Sequence, residues 1–500
     1  MNPSFIPLAY RDGRKKIINQ LGKFTPSSVL ETLIAELRMF ERGGIERMRD
    51  RPPWHTLLLL KWFFADSRSH PGNTRAMTEM DFVKLIYSVV DLEGKLELPS
   101  QHPDFAIFLR KVAHQQFWFQ ENLQVAHFAR QSLLFRQLPM DHPLSVAFAR
   151  VVGVPIGDFV VLLAAMTIYL AVRNVPVDRR FFSSLEPFFS RSKVDAVLAT
   201  ISKDRSELRT YLRSGRFADA RAHYEYHSRT PLTRYPLLRD GGHLIPYAPA
   251  VLARGVETLV YDILREHDAS AFMNHFGTLF EGHVRKGVEH TEFPFMDEAE
   301  LTRRFGRGKV VDFAFSSLDG TLLVDAKGVA LPVGALVTDD TEFLTSRLSN
   351  SVIKALEQAA GLASRMALVD PPFVLVVTYK HFLLGTGSNL ERFVDKDAQP
   401  ESVKGLDMAK VYFASIEEFD YLVAGLRAHR IHPVQFFANA RDLDADPSTR
   451  KFTVMQHVNA ALRPYGTPDY LSEEEAAVMK ILERALPVQI VRANGVAGGS

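Results

Sequence analysis

Two apolar runs joined by a turn sequence constrain the fold of this chain more than any other feature. Gly308-Lys309-Val310-Val311-Asp312-Phe313 leads to Ser317-Leu318-Asp319-Gly320, and Leu322-Leu323-Val324-Asp325-Ala326-Lys327-Gly328 follows. Asp319-Gly320 is a hairpin dipeptide, so the runs read as antiparallel partners. Side chains alternate faces along a strand, and two registers are open. If Asp319 and Gly320 alone form the loop, Leu318 pairs with Thr321 and Asp312 lies opposite Lys327. If Ser317 to Gly320 all form it, Asp312 lies opposite Asp325. Both registers put Asp312, Asp325 and Lys327 on one face. Both leave Val311, Phe313, Phe315, Leu322, Val324 and Ala326 on the other, an apolar surface that a helix or a second layer must cover.

Facing carboxylates repel and raise each other's proton affinity unless a cation compensates them, and hard oxygen ligands favour Mg²⁺ or Mn²⁺. A hairpin with solvated charges on its outer face is the ordinary alternative. Val310, Val311, Leu322, Leu323 and Val324 do not alternate with polar residues, however, so both faces read as buried, and buried acids need partners. Lys327 is then placed to hold a phosphate or a water beside the ion.

These positions resemble the PD-(D/E)XK nuclease superfamily, in which one strand carries an acid and the next carries D/E-X-K. Asp312 and Asp325-Ala326-Lys327 match that pattern, with Val311 where the family name has proline. The resemblance covers about a quarter of the chain, roughly residues 269–379. It implies an α/β domain with a mixed sheet flanked by helices, in the order helix, three strands, helix, strand. It also implies phosphodiester hydrolysis assisted by Mg²⁺ (or Mn²⁺), with Asp312, Asp325 and the Ala326 carbonyl as ligands. Lys327 would orient water or stabilise the phosphorane charge. The family's first helix often adds a glutamate, and Glu281 is the candidate, as ligand and as catalytic acid. The second helix, expected from about Ser346 to Met366, carries Lys354, Glu357 and Gln358 toward the site, Gln358 positioning water or backbone. Phe373 to Tyr379 is the following strand. Some members carry a glutamine-to-tyrosine motif on that helix; here Leu362 replaces the tyrosine.

Around these acids, Arg285, Lys286, Arg303, Arg304, Arg307 and Lys309 form a basic collar, joined by Lys354, that is suited to phosphates. Elsewhere charge is unhelpful, since a net +2 gives no global attraction for nucleic acid. The absence of cysteine removes disulfides, zinc–thiolate sites and a thiol nucleophile, which fits a reducing cytoplasm. No basic region followed by an apolar run opens the chain. Phe159 to Val172 spans 14 residues, short of the roughly 20 needed to cross a bilayer, so it reads as a buried core helix. No membrane partner is expected. Nucleotide-binding glycine loops and a serine-nucleophile elbow are also missing.

At 500 residues the chain exceeds the ~250 to 300 at which single cores stop growing. The expected division is an all-helical domain over 1–215, a linker over 216–242, the α/β domain over 243–493 and a flexible tail over 494–500. Helical spacing marks Ser28 to Phe40, His55 to Asp66, Glu79 to Val90, Asn122 to Leu138 and Asp158 to Val172, with no alternating strand among them. Trp54, Trp62 and Trp118 are helical core or, less often for such clusters, base-stacking platforms. Thr230-Pro231 and Tyr235-Pro236 disfavour helix in the linker. Within it, Arg221-Ala222-His223-Tyr224-Glu225-Tyr226-His227 resembles the arginine-to-histidine spacing of HEPN ribonucleases, whose activity would persist in EDTA. His267, His275, His283 and His290 form a helical stripe expected to be a solvated flank. Downstream, Lys410 to Ala414 reads as a strand, Ser415 to Ala428 as a helix capped by Ser415, Val434 to Phe437 as an edge strand and Glu473 to Ala485 as a helix.

Together these features lead to the expectation of a cytoplasmic, Mg²⁺-dependent endonuclease acting on DNA in preference to RNA, in antiviral genome defence, restriction or repair. The helical domain would meet a protein partner or trigger, and a homo-oligomer is left open. The alternative is a catalytically silent nuclease scaffold that binds or senses nucleic acid or protein. Metal-dependent cleavage separates the two.

Overall fold

The computed structural model describes residues 8–66, 73–96, 105–119, 124–173, 175–214, 222–395, 400–401 and 403–485. It divides into two compact units, one of Met1–Pro103, Lys111–His267 and Glu475–Ser500, the other of Asp104–Arg110 and Asp268–Glu474. The expected tail at 494–500 lies outside the described residues, as does Arg221 of the arginine-to-histidine motif.

Helices dominate the first unit. Pro26–Asp50, Pro53–Ala65, Glu79–Glu93 and Ile156–Arg173 lie where apolar spacing predicts them, and Val125–Gln131 runs on into a π-helical turn at Ser132–Arg136. Local signals fix their starts: Pro53 stands at the first helical position, and Thr78 and Asp81 close a capping box. Trp62 and Trp118 are buried with Tyr10, Leu59 and Tyr247 in one core, so they pack rather than offer a stacking platform. Among the described residues no single helix is long and apolar enough to cross a membrane; Pro143–Val152 and Ile156–Ala171 meet the length and composition only as a pair bent by 50°. Residues 159–170 are buried inside the unit.

Two expectations for this half fail. First, the unit is not all-helical. The hairpin Leu237–Asp240 and His243–Pro246 is extended into a four-stranded sheet by Val177–Asp178, antiparallel, and Ser202–Lys203, parallel. Strands of two residues are too short for alternation to register in a sequence. Second, 216–242 is not a linker between units. Its described residues pack into the first unit, and the division falls at His267–Asp268. Glu225 is the anchor. Its carboxylate accepts from Tyr10 at 3.2 Å, Trp62 Nε1 at 3.1 Å and Lys61 Nζ at 2.6 Å, and lies 2.9 Å from Arg14 Nε. Burial opposes its charge, but Lys61 and Arg14 more than offset this and hold it below the ordinary glutamate range.

The second unit carries the sheet that organises the acids. Its elements include α1 (Ala269–His290), β1 (Met296–Asp297), α2 (Glu298–Phe305), β2 (Phe313–Ser317), β3 (Gly320–Lys327), α3 (Thr341–Leu348), α4 (Lys354–Met366), β4 (Phe373–Thr378), β5 (Val411–Ser415), α5 (Ile416–His429) and α6 (Pro433–Ala445). The sheet is five-stranded in the order β1-β2-β3-β4-β5, antiparallel through β3 and parallel from β3 to β5. Helices cover it. Ala314, Leu323, Val374 and Val376 share a core with Ala355, Leu356, Ala359 and Leu362 of α4. On the side of α1, Phe276 and Phe280 press against Gly328, where an added Cβ would come within 3.0 Å of the Phe276 ring.

Differences from expectation here have local causes. The second helix begins at Thr341 rather than at about Ser346, because Asp340 caps it by accepting from Phe343 N–H at 2.9 Å, and a π-helical turn at Ser349–Ile353 joins α3 to α4. Ser415 and Glu418 close a capping box on α5, in line with the expected N-cap. Val434 to Phe437 is not an edge strand but the first turn of α6, started by Pro433 and by His432, whose Nδ1 accepts from Val434 N–H. Of the histidine stripe, His267 is exposed as expected, whereas His283 is buried against Asp420 at 2.9 Å.

Replacing Glu225 by alanine opens a buried cavity and takes from Lys61 and Arg14 the acid they share, leaving Arg14 its pair with Asp66. We expect Glu225→Ala to cost about 3 kcal/mol of stability, the low end for breaking a buried pair because both cations keep some solvent contact. Urea unfolding reads this, and a loss below about 1 kcal/mol would mean that the cluster is no more than a surface salt bridge.

Candidate metal centre

The hairpin adopts the register that places Asp312 opposite Asp325. Phe313 pairs with Val324, Phe315 with Leu322, Ser316 with Thr321 and Ser317 with Gly320. The loop is Leu318-Asp319, while Gly320 opens β3 at a φ of 127°, a value that glycine alone adopts readily. Register by itself does not bring Asp312 to the site, because β2 starts one residue later. Residues 308–312, expected as strand, are instead extended chain held by α4. Arg365 Nη2 donates to Lys309 O at 2.5 Å and Gln358 Nε2 donates to Val310 O at 2.6 Å, while Val310 and Val311 are buried. Side chains from a helix thus satisfy carbonyls that a ladder would otherwise pair. Val311 accordingly joins the core against α4 rather than the opposite face that strand parity predicts.

Asp312 is fixed at its end of the hairpin by Ala326 N–H, which donates to Oδ2 at 2.6 Å. Asp325 is fully buried. Lys327 Nζ lies 2.5 Å from its Oδ2, and Oδ1 has no hydrogen-bond partner. Lys327 in turn donates to Gln358 Oε1 at 2.9 Å, so Gln358 spans from the lysine to the Val310 carbonyl. Both acids hold protons more tightly than usual. Burial and the neighbouring Asp325 push Asp312 up to about 7. Burial raises Asp325 despite the opposing pull of Lys327 and Lys354. Glu281 adds to both shifts.

Carboxylate oxygens of Glu281, Glu298 and Asp312 all lie within 4.8 Å of one another. Glu281 comes from the middle of α1 and Glu298 from the first turn of α2, so three separate elements converge on one point. Glu298 was not among the residues anticipated from sequence. Its signal was the run Asp297-Glu298-Ala299-Glu300, and only the fold distinguishes its members. Asp297 caps α2 through Glu300 N–H and pairs with Arg285. Glu300 pairs with Arg304. Glu298 is exposed and turns toward the centre.

The basic collar is largely spent on local acids. Arg285 pairs with Asp297, Arg304 with Glu300 and Lys309 with Glu357. Lys286, Arg307 and Lys354 are exposed, and Lys354 is near enough to Asp325 to favour its ionised form.

The residues fit a hard divalent ion. A buried carboxylate oxygen without a donor, beside a second acid driven toward its neutral form, is an unsatisfied anionic site that a cation would complete. Asp312 and Asp325 would frame it from adjacent strands. Comparison with protein-family models, with curated proteins and with solved structures gives no match.

Asp312 sets a pH dependence. Between about pH 4 and about 7 the folded protein keeps a proton that the unfolded chain has released, so stability falls as pH rises through that window and levels off above it. Asp312→Asn should flatten this part of the profile. Mg²⁺ competes with the proton, so it should raise the melting temperature more at about pH 8 than at about pH 5.5. Thermal melts across this range, with and without Mg²⁺, measure both effects; an equal gain at the two values would count against metal binding by Asp312.

Proposed function

We propose that this protein is a divalent-metal-dependent nuclease of the PD-(D/E)XK type, with nucleic acid as substrate and DNA as the first form to test. The observation that carries the reading is the fully buried Asp325, one oxygen unpartnered, opposite Asp312 and beside the braced Lys327. The element order supports it: helix α1, strands β1 to β3, helix α4, strand β4, with α2 as an additional helix between the first two strands.

A divalent ion held here would supply Lewis acidity toward a phosphoryl oxygen and toward water. Asp312 and Asp325 would hold it only as carboxylates, so loading the site would displace the proton that burial favours on Asp312. Lys327, held between Asp325 and Gln358, would present its ammonium to the extra negative charge that develops on the phosphoryl oxygens during displacement. Gln358 acts through Lys327 and Val310 and is a positioning residue. Exposed Lys286, Arg307 and Lys354 offer contacts for flanking phosphates, and these contacts carry no base information. With half of the expected collar already neutralised by acids, affinity for the backbone should be modest and strongly reduced by salt.

Incubation with plasmid, linear duplex, single strands and transfer RNA, in Mg²⁺, Mn²⁺ or EDTA, tests the proposal. Asp325→Ala should abolish cleavage while leaving the fold intact. Gln358→Ala should cost roughly 10 to 100-fold in activity or metal affinity, because it removes the brace on Lys327 and on the Val310 carbonyl. Full activity in Asp325→Ala, or cleavage that persists in EDTA, would reject it. Binding of nucleic acid without any cleavage would instead assign a silent scaffold.

A further inference from the structure

We propose that the first unit binds single-stranded nucleic acid in a groove between helix Arg205–Arg213 and Tyr235, with a base on the tyrosines and the backbone on Lys203. The groove is open, measures about 400 Å³ and is lined by Lys203, Ser206, Glu207, Thr210, Tyr211 and Tyr235. It is separate from the metal centre, whose residues all belong to the second unit.

Local sequence builds the groove. Ser202–Lys203 pairs in parallel with Leu237–Leu238, which sets Lys203 on an edge strand of the four-stranded sheet. Asp204 then caps the helix, accepting from Ser206 N–H at 2.8 Å and from Glu207 N–H at 2.9 Å. Leu208 and Leu212 turn into the core and leave Ser206 and Thr210 exposed, one turn apart. The 3₁₀ turn Pro231–Arg234, opened by its proline, delivers Tyr235. The Tyr235 ring meets Tyr211 edge to face, with centres 4.8 Å apart. Both tyrosines are half-buried against the core, so packing already fixes their rings.

The chemistry of the walls selects the ligand. Aromatic rings at an open groove accept any base, because every base has a π-face. Lys203 Nζ lies 4.5 Å from the centre of the Tyr235 ring and 4.0 Å from Glu207 Oε1. An ammonium on a ring is held only weakly where water reaches it, so a phosphate can draw Lys203 away and open the ring face to a base. Glu207 opposes this little, since its Oε2 pairs with Arg239 and accepts from Asp204 N–H at 2.9 Å. Arg209 and Arg213 are exposed and follow Ser206 at helical spacing, so they extend the positive edge along the same side of the helix. Arg213 lies 3.8 Å from Asp66, which Arg14 holds more closely at 2.5 Å. A duplex keeps its base faces inside the stack and offers the tyrosines nothing. An acidic peptide meets the cations but brings no planar partner for the rings. A single strand uses both.

The test uses the full chain in EDTA, where the outcome does not depend on cleavage. Fluorescence anisotropy of a labelled oligothymidine should report tighter binding than for a duplex of the same length, weakening as salt rises. Tyr235→Leu should weaken it roughly tenfold, while Tyr235→Phe, which keeps the ring, should bind like wild type. Thr210→Glu, an exposed change on the groove wall that leaves the core untouched, should weaken binding by a similar factor. Melting temperatures check that the variants fold. An oligothymidine carrying iodouracil should crosslink under ultraviolet light to Tyr211 or Tyr235, as located by peptide mass spectrometry. No binding, equal affinity for duplex and single strand, competition by polyglutamate as effective as by oligothymidine, a Thr210→Glu variant that binds like wild type, or crosslinks confined to other residues would each overturn the proposal. Binding in this groove without cleavage in Mg²⁺ would uphold it and reject the nuclease reading, whereas metal-dependent cleavage without binding in this groove would do the reverse.

Discussion

The burial of Asp325 in the middle strand of a doubly covered sheet is the constraint to which the rest of the second unit responds. A carboxylate without solvent is costly unless paired and hydrogen-bonded, and β3 lies between β2 and β4 with helices on both sides. The chain meets part of this cost from within the same strand, through Lys327 two residues on. The remaining Oδ1, and the proton that Asp312 retains to about pH 7, are the residue of a balance that a cation would complete.

The helix α4 is the other half of that arrangement. Its apolar residues Ala355, Leu356, Ala359 and Leu362 pack on the sheet, while Gln358 and Arg365 reach the carbonyls of Val310 and Lys309. One helix therefore seals the core, holds the segment that delivers Asp312, and fixes Lys327. The first unit follows the same logic with the opposite outcome. There Glu225 is also buried, but Tyr10, Arg14, Lys61 and Trp62 satisfy it fully, and such a satisfied acid serves structure rather than chemistry.

Much of the site was legible in the sequence. Asp312, Asp325 and Lys327 fall on one face in either register because strand periodicity is two, and Gln358 and Glu281 fall on helices that bracket the hairpin. Less legible was everything decided by pairing. Arg285, Arg304 and Lys309 read as phosphate ligands when only their charge was visible, yet each is engaged by an acid. Val434 to Phe437 has strand-forming residues, but Pro433 and the His432 cap start a helix there. The supposed linker carries Pro and Tyr like many loops, and only the cluster on Glu225 reveals it as core.

What the sequence alone determined is the local chemistry: an acid on each arm of a hairpin, a lysine two residues after the second, and helical segments on both sides. These follow from periodicity and turn residues, which act over a few positions. Tertiary structure decided which register was used, that Asp325 would be dry, that Glu298 would join Glu281 and Asp312, and which cations were already spent. Those outcomes depend on approach between residues distant in the chain and on exclusion of water, and neither is encoded in any short window of sequence.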